Sequence, residues 1–378
     1  MKGLYVHIPF CLKKCKYCSF YSLSGKIDEE KYLSSLFSHL DFLLERFGVI
    51  PSFNTLYFGG GTPSLMSLNF FDKFFVKLSK VMDTSNFKEI TIEANPETLS
   101  REYLKGLKDL GFNRLSIGVQ SVDNGILKKL GRIHNVEKAL KSVENVLDFF
   151  ENVSVDFIIG IKGQENKSVE EIFDFPYFDK IKHVSVYMLE GEKNETLKVD
   201  DDFSANLYLK TVNYLESAGF ERYEISNFAK DGYKSIHNSL YWSENEFLGI
   251  GVSAHSFVFK NETNEGIRFS ENSDFRDFLE KRFDVEENFL EKEQLIREFF
   301  MLGLRKKEGI DLKSFSDFWG IDAEKYFSPI LNKFSDFFEF ESGRVFLSLE
   351  GVLVSNEIFE EILFFENGKI ERKTGDRQ

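Results

Sequence analysis

The sequence predicts an α/β protein whose first half is a partial (β/α)6 barrel and whose C-terminal part is a helical domain. Two observations lead to this prediction. Between residues 4 and 189, short apolar segments alternate with segments of helical periodicity, which is typical of a parallel sheet with helical connections. From about residue 290 the pattern changes to helices with a small strand pair. A chain of 378 residues has room for two domains, or for one large domain with an appendage.

Each strand of the predicted barrel leads into polar or glycine-rich sequence. The strands are predicted at residues 4–8, 55–58, 89–93, 114–119, 153–159 and 184–189. In α/β barrels the chemistry gathers at the carboxyl ends of the strands. The residues at or just beyond these ends include Cys11, the glycines at 59–61, Glu93, Gln120 and Asp156. We therefore expect these residues to lie together in one site.

Helices are predicted between these strands and after them. The helical segments are residues 28–47, 70–81, 100–110, 123–130, 135–150, 168–174 and 203–218. Ser100 is a suitable N-cap for the helix that follows it. Further along, we expect one strand at 222–226, an irregular polar and aromatic segment at 236–242, a glycine-rich turn at 248–252 and a hairpin within 256–270.

The last part of the chain is predicted to fold as a separate helical domain. Helices are expected at residues 290–304, 311–319, 322–336 and 352–363, with a strand at 344–348. A helix-rich unit with a small strand pair is similar to a winged-helix domain. We therefore divide the chain into a partial barrel over residues 1–200, an extension of the barrel over 201–285 and a C-terminal helical domain over 286–378.

Charge and hydropathy exclude some classes of function. The net charge is −14, and an acidic surface repels phosphate backbones, so a nucleic-acid partner is disfavoured. No stretch approaches the roughly 20 apolar residues that a membrane-spanning helix needs. The N-terminal sequence has no cleavable signal pattern and leads directly into a predicted strand. We expect a cytoplasmic protein that has no membrane span and does not bind nucleic acid.

The cysteines are confined to one short stretch. Cys11, Cys15 and Cys18 are the chain's 3 cysteines, and an odd number does not fit a closed disulfide framework. Soft thiolates bind iron–sulfur clusters and zinc. A [4Fe–4S] cluster usually has four cysteine ligands, one per iron, so three cysteines would leave one iron open to another ligand.

Two other interpretations of these cysteines stay open from the residues alone. A structural zinc ion needs four ligands, and His7 is placed to supply the fourth. The spacing i, i+4, i+7 also occurs on one face of a helix, where the cysteines would simply be buried. Nearby lysines and the Pro-Phe dipeptide before Cys11 make that helix unattractive.

The pattern Cys-x3-Cys-x2-Cys resembles the radical SAM superfamily. The segment Gly59-Gly-Gly-Thr62-Pro63 resembles the superfamily's loop that grips the amino group of S-adenosylmethionine (SAM). In that superfamily SAM chelates the open iron, and an electron from the cluster cleaves SAM to a 5′-deoxyadenosyl radical. The resemblance implies a [4Fe–4S] cluster on Cys11, Cys15 and Cys18, SAM as a cofactor, and a reductant such as flavodoxin or ferredoxin as a partner.

Further segments are similar to the oxygen-independent coproporphyrinogen III oxidase family within that superfamily. The similarity extends in register from residue 4 to beyond residue 300. The segments that carry it most clearly are residues 5–11, 59–64, 93–97, 118–121, 131–134, 156–160 and 301–305. This resemblance implies that Tyr17 packs on the adenine. It also implies SAM contacts from Tyr5, Gly60, Gly61, Thr62, Glu93, Gln120, Arg132 and Asp156.

Within that family the sequence resembles the branch of HemW-type heme chaperones. The decarboxylating oxidases carry a fourth cysteine two residues past the third, where this chain has Phe20, and a longer N-terminal arm. The chaperone motif His-Asn-x-x-Tyr-Trp is present at residues 237–242. Imidazole is a good axial ligand for heme iron, so the resemblance makes His237 a candidate heme ligand, although the residue alone would suit a hydrogen-bonded structural histidine.

The function implied by this resemblance is to bind heme and transfer it to heme-accepting proteins. No catalytic side chain is predicted. The main alternative is radical oxidative decarboxylation of coproporphyrinogen III to protoporphyrinogen IX, against which the missing fourth cysteine and the short arm argue. A binding protein whose cluster is purely structural is a further possibility. Radical modification of RNA is disfavoured by the charge of −14.

Overall fold

A twelve-stranded sheet dominates the computed structural model, which describes residues 1–25, 27–189, 191, 194–260, 263–366 and 369–370. Its central part consists of parallel strands that follow one another in chain order. These strands are β1 (Lys2–Ile8), β2 (Thr55–Gly60), β3 (Glu89–Ala94), β4 (Arg114–Gln120), β5 (Asn152–Ile159) and β6 (His183–Met188). The sheet is not closed, and the prediction of a partial (β/α)6 barrel is confirmed.

Helices connect these strands, as the sequence predicts. They are α1 (Glu29–Phe47), α2 (Leu68–Leu78), α3 (Arg101–Asp109), α4 (Asn124–Leu130), α5 (Val136–Leu147) and α6 (Val169–Ile172). Most begin at a side chain that accepts a backbone hydrogen bond, as Ser100 does from the backbone N–H of Tyr103. Short 3-10 turns lie at Pro63–Leu65, Thr84–Asn86 and Pro96–Thr98.

The two faces of the parallel strands differ in chemistry. Alternate residues such as Leu56, Phe58 and Ile92 are fully buried and belong to the main apolar core, which includes aromatic side chains of α2. The residues between them are polar, among them Glu89 and Glu93 of β3. Because side chains alternate along a strand, the barrel has an apolar outer face under the helices and a polar interior.

The middle of the chain extends the sheet at both edges. Its elements are α7 (Asp201–Ser217), β7 (Glu221–Arg222), β8 (Asn227–Ala229), α8 (Ile236–Leu240), β9 (Glu246–Ile250), β10 (His255–Lys260), β11 (Glu265–Glu271), α9 (Phe275–Leu279) and β12 (Val285–Leu290). Strand β9 pairs in parallel with β1, and β10, β11 and β12 continue as an antiparallel ladder. On the other edge, β8 pairs antiparallel with β6 and with β7.

The structure corrects three predictions in this middle part. The single strand expected at 222–226 is replaced by the two short strands β7 and β8. The expected turn at 248–252 lies mostly in strand β9, where Gly249 is required because a Cβ atom would collide with the carbonyl oxygen of His255. The segment expected to be irregular at 236–242 begins with helix α8, which Ser235 caps by accepting from the N–H of Asn238. A hairpin within 256–270 is confirmed by β10 and β11.

The C-terminal part is helical, as predicted. It comprises α10 (Lys292–Leu304), β13 (Ile310–Asp311), α11 (Leu312–Trp319), α12 (Ala323–Lys333), β14 (Phe338–Glu341), β15 (Arg344–Leu347), α13 (Leu349–Leu353), α14 (Ser355–Leu363), β16 (Phe365–Glu366) and β17 (Lys369–Ile370), with a 3-10 turn at Ser335–Phe337. The helix expected at 352–363 is interrupted at Val354, which separates α13 from α14. Strands β13, β15 and β14 form a small sheet.

Aromatic contacts join this helical part to the large sheet. The ring of Phe259 in β10 lies 6.2 Å from that of Phe299 and 6.0 Å from that of Trp319. Strand β12 spans position 286, where the sequence predicts a domain boundary, and the division of the chain into domains stays a prediction. Among the described residues, no helix is long and apolar enough to cross a membrane.

Candidate cofactor site

A cavity of about 390 Å³ lies where the carboxyl ends of the parallel strands meet the loop after β1. Its wall combines that loop with residues from the ends of β2 to β6. The predicted site residues that line it are Cys11, Cys15, Tyr17, Cys18, Gly60, Gly61, Thr62, Glu93, Gln120, Arg132 and Asp156. The structure therefore brings most of the predicted site together.

The three cysteines stand in a loop that backbone hydrogen bonds attach to the barrel. Cys11 N–H donates to the Leu23 carbonyl at 2.9 Å, and Lys16 N–H donates to the Leu130 carbonyl at 3.1 Å. The cysteines are free and partly exposed. No helix passes through the described residues 11–25, so the interpretation of the cysteines as one buried helical face is wrong.

Hydrogen-bond donors approach two of the thiols. The Thr62 hydroxyl donates to Cys11 Sγ at 3.5 Å, and Arg132 Nη1 donates to Cys15 Sγ at 3.5 Å. Donors next to sulfur stabilise the thiolate form, which is the form that binds iron. Among the described residues, no group of three or more His, Cys, Asp or Glu side chains converges on a single metal ion. In a [4Fe–4S] cluster each cysteine binds a different iron.

His7 lies beneath the glycine loop with both ring nitrogens engaged. The Tyr5 hydroxyl is 3.1 Å from Nδ1, and Nε2 donates to the Tyr21 carbonyl at 3.1 Å. Burial lowers the pKa of His7 to about 4, so the ring is neutral at physiological pH. A zinc site with His7 as its fourth ligand would have to break these contacts, which argues against that interpretation.

The glycine loop lies tightly against this histidine and the end of β1. A Cβ atom on Gly60 would lie 2.5 Å from His7 Cε1, and its φ of +108° is unfavourable for other residues. A Cβ atom on Gly61 would lie 2.7 Å from the Phe10 carbonyl oxygen. Glycine at both positions therefore lets the backbone pass between β1 and the cavity.

Glu93 is held at the cavity wall by two donors. The Tyr57 hydroxyl donates to Oε1 at 2.8 Å, and Gly60 N–H donates to Oε2 at 3.2 Å. Burial raises the pKa of Glu93 to about 7, although both donors act to lower it. A cationic ligand in the cavity would favour the ionised carboxylate.

Asp156 lies on the same wall, within strand β5, which is separated from the strand of Glu93 by β4. The Ser116 hydroxyl is 3.1 Å from Oδ1 and 3.3 Å from Oδ2. Burial raises the pKa of Asp156, and the hydroxyls of Ser116 and Ser185 oppose that rise. Two carboxylates on the wall of one cavity suit a ligand that carries an ammonium group or several hydroxyls.

Arg132 ties the cysteine loop to the strand ends. Its Nη1 donates to the Tyr17 hydroxyl at 3.3 Å, and its Nη2 donates to Asn95 Oδ1 at 2.6 Å and to the Gly118 carbonyl at 2.8 Å. Asn95 in turn donates to Thr62 Oγ1 at 3.0 Å. Asn95 is not among the predicted site residues, although it lies within the segment 93–97 that carries the family resemblance.

Gln120 has a strained backbone at the end of β4. Its φ is +69°, a left-handed value that non-glycine residues adopt rarely, and the register of β4 against β5 shifts between Gly118 and Gln120. Residues held in such conformations are frequent at ligand sites, because the surrounding structure fixes them there. The irregularity places Gln120 on the cavity wall.

Tyr5 and His237 are predicted cofactor contacts that the structure places behind this wall. Tyr5 packs against Tyr57, with ring centroids 6.1 Å apart, and its hydroxyl contacts His7. His237 is fully buried, with Nδ1 2.8 Å from Thr55 Oγ1 and Nε2 2.8 Å from the Tyr241 hydroxyl. This is the geometry of a structural histidine, so the predicted heme contact of His237 gains no support from it.

Two family models match the chain. The Radical SAM superfamily matches residues 5–175, and the HemN C-terminal domain matches residues 290–354. The heme chaperone HemW of Bacillus subtilis is 32% identical over 378 residues, which cover 95% of this chain and 98% of that protein. This chain belongs to the HemW family. HemW of Lactococcus lactis is 31% identical over 95% of the chain and 96% of its own length.

Other relatives extend the comparison. The mitochondrial radical S-adenosyl methionine domain-containing protein 1 of Danio rerio is 29% identical over 98% of this chain and 90% of its own length. Coproporphyrinogen III oxidase (HemN) of Escherichia coli, a radical SAM enzyme, has a structure that matches 95% of this chain and 89% of its own with a TM-score of 0.78. At 18% identity this match shows the fold alone. The predicted family and fold are confirmed.

The cavity fits the cofactors that membership of the radical SAM superfamily implies, a [4Fe–4S] cluster and SAM. Three thiols face it, and carboxylates and a guanidinium stand beside them. Arg132 Nε and Ser22 Oγ are buried there and have no hydrogen-bond partner within the part of the chain that the structure describes. Buried polar atoms normally have partners, so these atoms are available to a bound group.

Proposed function

We propose that this chain is a heme chaperone that binds heme and passes it to acceptor proteins, with a [4Fe–4S] cluster and SAM in the cavity. The observation that carries the heme function is the 32% identity to the heme chaperone of Bacillus subtilis along 95% of the chain. The geometry of the cavity supports the cofactors. Phe20, where the oxidases carry a fourth cysteine, is 62% exposed at the cavity rim.

We assign the cofactor contacts from the chemistry of the lining residues. Cys11, Cys15 and Cys18 hold the cluster through one thiolate each, next to the donors Thr62 and Arg132. The backbone of Gly60 and Gly61 lets SAM approach β2 closely. When bound, the two cofactors supply one-electron radical chemistry at this cavity.

The remaining polar residues complement the charged and hydroxyl groups of SAM. The carboxylates of Glu93 and Asp156 suit its ammonium group and ribose hydroxyls, and the guanidinium of Arg132 suits its carboxylate. Gln120 offers an amide, and Tyr17 offers a ring for the adenine. All of these side chains line the cavity.

We propose that the reductant docks on the rim around the cysteine loop. Residues 1–27 contain five lysines and no acidic residue, in a chain whose net charge is −14. Leu12 and Ile133 are 59% and 51% exposed there, and Lys13 and Lys14 are exposed beside them. A basic rim with apolar groups suits an acidic electron-carrier protein such as flavodoxin or ferredoxin.

Coproporphyrinogen oxidation is the weaker candidate. The match to the Escherichia coli enzyme shows a shared fold at 18% identity, whereas the end-to-end similarity is to chaperones. An anaerobic assay with coproporphyrinogen III, SAM and a reductant separates the two functions. Protoporphyrinogen formed by the cluster-loaded protein would contradict the chaperone proposal.

Heme transfer is the direct test of the proposed function. The cluster-loaded protein is titrated with heme, freed of excess heme, and mixed with apomyoglobin as a heme-accepting probe. We expect a bound-heme absorption spectrum that converts to that of myoglobin. No heme retained after gel filtration would contradict the proposal. A protein heated to unfold it, carried through the same steps, controls for adventitious heme.

A further inference from the structure

The segment at 237–242 fills the amino end of the barrel, opposite the cavity. Helix α8 begins beside Glu89, the first residue of β3, which accepts from the Ser235 hydroxyl at 3.2 Å and from the N–H groups of Ile236 and His237 at 2.7 and 3.1 Å. The His237 ring also contacts Thr55, the first residue of β2. We call residues 235–242 the plug.

The barrel wall is shaped to accept this plug. Gly3 of β1 has no side chain where α8 packs, and a Cβ atom there would lie 2.9 Å from Leu240 Cδ1 and 3.0 Å from His237 Cε1. Both ring nitrogens of His237 are engaged, and the ring is fully buried. Heme iron could reach this imidazole only after the plug left the barrel.

A short chain of contacts leads from the plug to the cavity. The His237 ring stacks on Tyr57 with centroids 4.9 Å apart and an interplanar angle of 27°. The Tyr57 hydroxyl donates to Glu93 Oε1, and the other oxygen of Glu93 accepts from Gly60 N–H. Stacking on His237 fixes the plane of the Tyr57 ring. Because the O–H bond of a phenol lies in the ring plane, the stacking also fixes the direction in which the hydroxyl donates.

We infer that His237 and Tyr57 are positioning residues that hold the Glu93 carboxylate in place for SAM from the interior of the barrel. This inference rests on the proposal that the cavity binds SAM through Glu93. It assigns the His-Asn-x-x-Tyr-Trp motif a role at the SAM site rather than at the heme iron. Preorganised acceptors bind a ligand more tightly because less conformational entropy is lost on binding.

The first test removes one hydroxyl group. Tyr57→Phe keeps the ring that stacks on His237 and loses the hydrogen bond to Glu93. The matched control is Tyr208→Phe, which also removes the hydroxyl of a buried tyrosine, one that donates to the Ile225 carbonyl at 2.7 Å. SAM affinity is measured by anaerobic calorimetry on cluster-loaded protein. We expect roughly tenfold weaker binding for Tyr57→Phe and less than about twofold for the control.

The pH dependence of SAM binding tests this role separately, because a residue that only supports the fold would not shift the pH midpoint of binding. The Tyr57 hydrogen bond holds down the pKa of Glu93 against the effect of burial, so its loss should move the midpoint of SAM binding to higher pH. The titratable and charged groups that face Glu93 are Tyr5, Tyr57, Arg114, Asp156, Tyr187 and Tyr241.

The second test separates the SAM role of His237 from a heme role. His237→Phe loses the two nitrogen contacts, with Thr55 and Tyr241, that hold the ring in its stacked position on Tyr57. The matched control is His39→Phe, because His39 is also buried, with Nδ1 3.2 Å from the backbone nitrogen of Gly251 and Nε2 3.1 Å from Glu271 Oε2. We expect His237→Phe to bind SAM several-fold more weakly with an unchanged heme spectrum, and the control to change neither.

Two results would overturn the inference. One is equal SAM affinity and equal pH midpoints for Tyr57→Phe and Tyr208→Phe. The other is a His237→Phe protein that loses its heme spectrum and keeps wild-type SAM affinity. Wild-type protein that carries the full cluster and does not bind SAM would instead contradict the proposed cofactor site, so the two failures are distinguishable.

Discussion

The two ends of the barrel contain similar buried polar side chains, but these differ in how completely they are hydrogen-bonded. At the amino end, the carboxylate of Glu89 accepts three hydrogen bonds from the plug, and His237 has partners on both ring nitrogens. At the carboxyl end, burial raises the pKa of Glu93 and Asp156, and Arg132 retains a buried nitrogen without a partner among the described residues.

This difference shows how to distinguish a structural polar cluster from a ligand site. A buried polar group with all its partners present stabilises the fold, whereas one that lacks a partner costs stability unless a ligand supplies it. By that criterion the contacts of Glu89 and His237 are structural, and the cavity has the properties of a ligand site. The criterion applies to single side chains and not to a whole end of the barrel, because Arg114 and Trp242 at the amino end also have buried nitrogens without a hydrogen-bond partner among the described residues.

The largest expected effect is the loss of the cluster when one of its proposed ligands is removed. Cys15→Ser replaces a soft thiolate with a hydroxyl, which is a poor iron ligand. We expect no stable cluster after anaerobic reconstitution, measured as iron and sulfide content and as visible absorbance. Ser19→Ala, in the same loop and not a proposed ligand, is the control. A full cluster in Cys15→Ser would remove this cysteine from the ligand set.

At the amino end, removal of the Glu89 carboxylate should destabilise the protein. Glu89→Ala leaves the hydroxyl of Ser235 and two backbone N–H groups without an acceptor, for which we expect a loss of about 3 kcal/mol in the free energy of unfolding. The measurement is chemical denaturation of the cluster-free protein. Glu102→Ala, at an exposed position in α3, should change the free energy little. Equal stability of both variants would refute the structural role of Glu89.

At the carboxyl end, the charge of Glu93 should lower stability as the pH rises. The folded pKa of about 7 lies above the ordinary carboxyl pKa of 4.5, so the folded state retains a proton that the unfolded state releases between these pH values. Stability should fall across that window by about 2 kcal/mol more in the wild type than in Glu93→Gln.

The measurement is the unfolding free energy of the cluster-free protein at pH 5 and pH 8. Above pH 7 we expect Glu93→Gln to be more stable than the wild type and to bind SAM more weakly. That opposite response of stability and binding is the signature of a ligand site. A pH dependence identical to that of the wild type would show that Glu93 is ionised throughout.

The smallest expected effect is on the docking of the reductant. Lys13→Glu combined with Lys14→Glu reverses charge at the rim, and we expect the rate of cluster reduction by flavodoxin at low ionic strength to fall several-fold. The same charge change in Lys313→Glu with Lys325→Glu, at exposed positions of α11 and α12, is the control. Equal rates for both double variants would place the docking surface elsewhere.

Local sequence signals predicted the carboxyl end of the barrel well. Gly60 ends β2, Glu93 is the next-to-last residue of β3, and Asp156 lies in the second half of β5. Parallel strands in chain order bring these positions to the same end of the barrel. The prediction that the cysteine loop holds a cofactor needed only the spacing of Cys11, Cys15 and Cys18. The role of Asn95 was missed because it depends on contacts with Arg132, in the loop after α4, and with Thr62, in the loop after β2.

The amino end could not be predicted in the same way. Helix α8 has 5 residues, too few for a helical periodicity to be visible. Strand β9 contains Gly249, which favours a turn in sequence but is needed here for close packing. His237 and Thr55 are 182 residues apart, so the contact that defines the plug depends on the topology of the whole barrel.

The most direct test of the central claim is electron paramagnetic resonance of the reduced cluster with and without SAM. We expect the g values to change when SAM is added, because SAM would bind the iron that has no cysteine ligand. We also expect Tyr57→Phe to need more SAM for the same change. Identical spectra from fully loaded wild-type protein at saturating SAM would contradict the account.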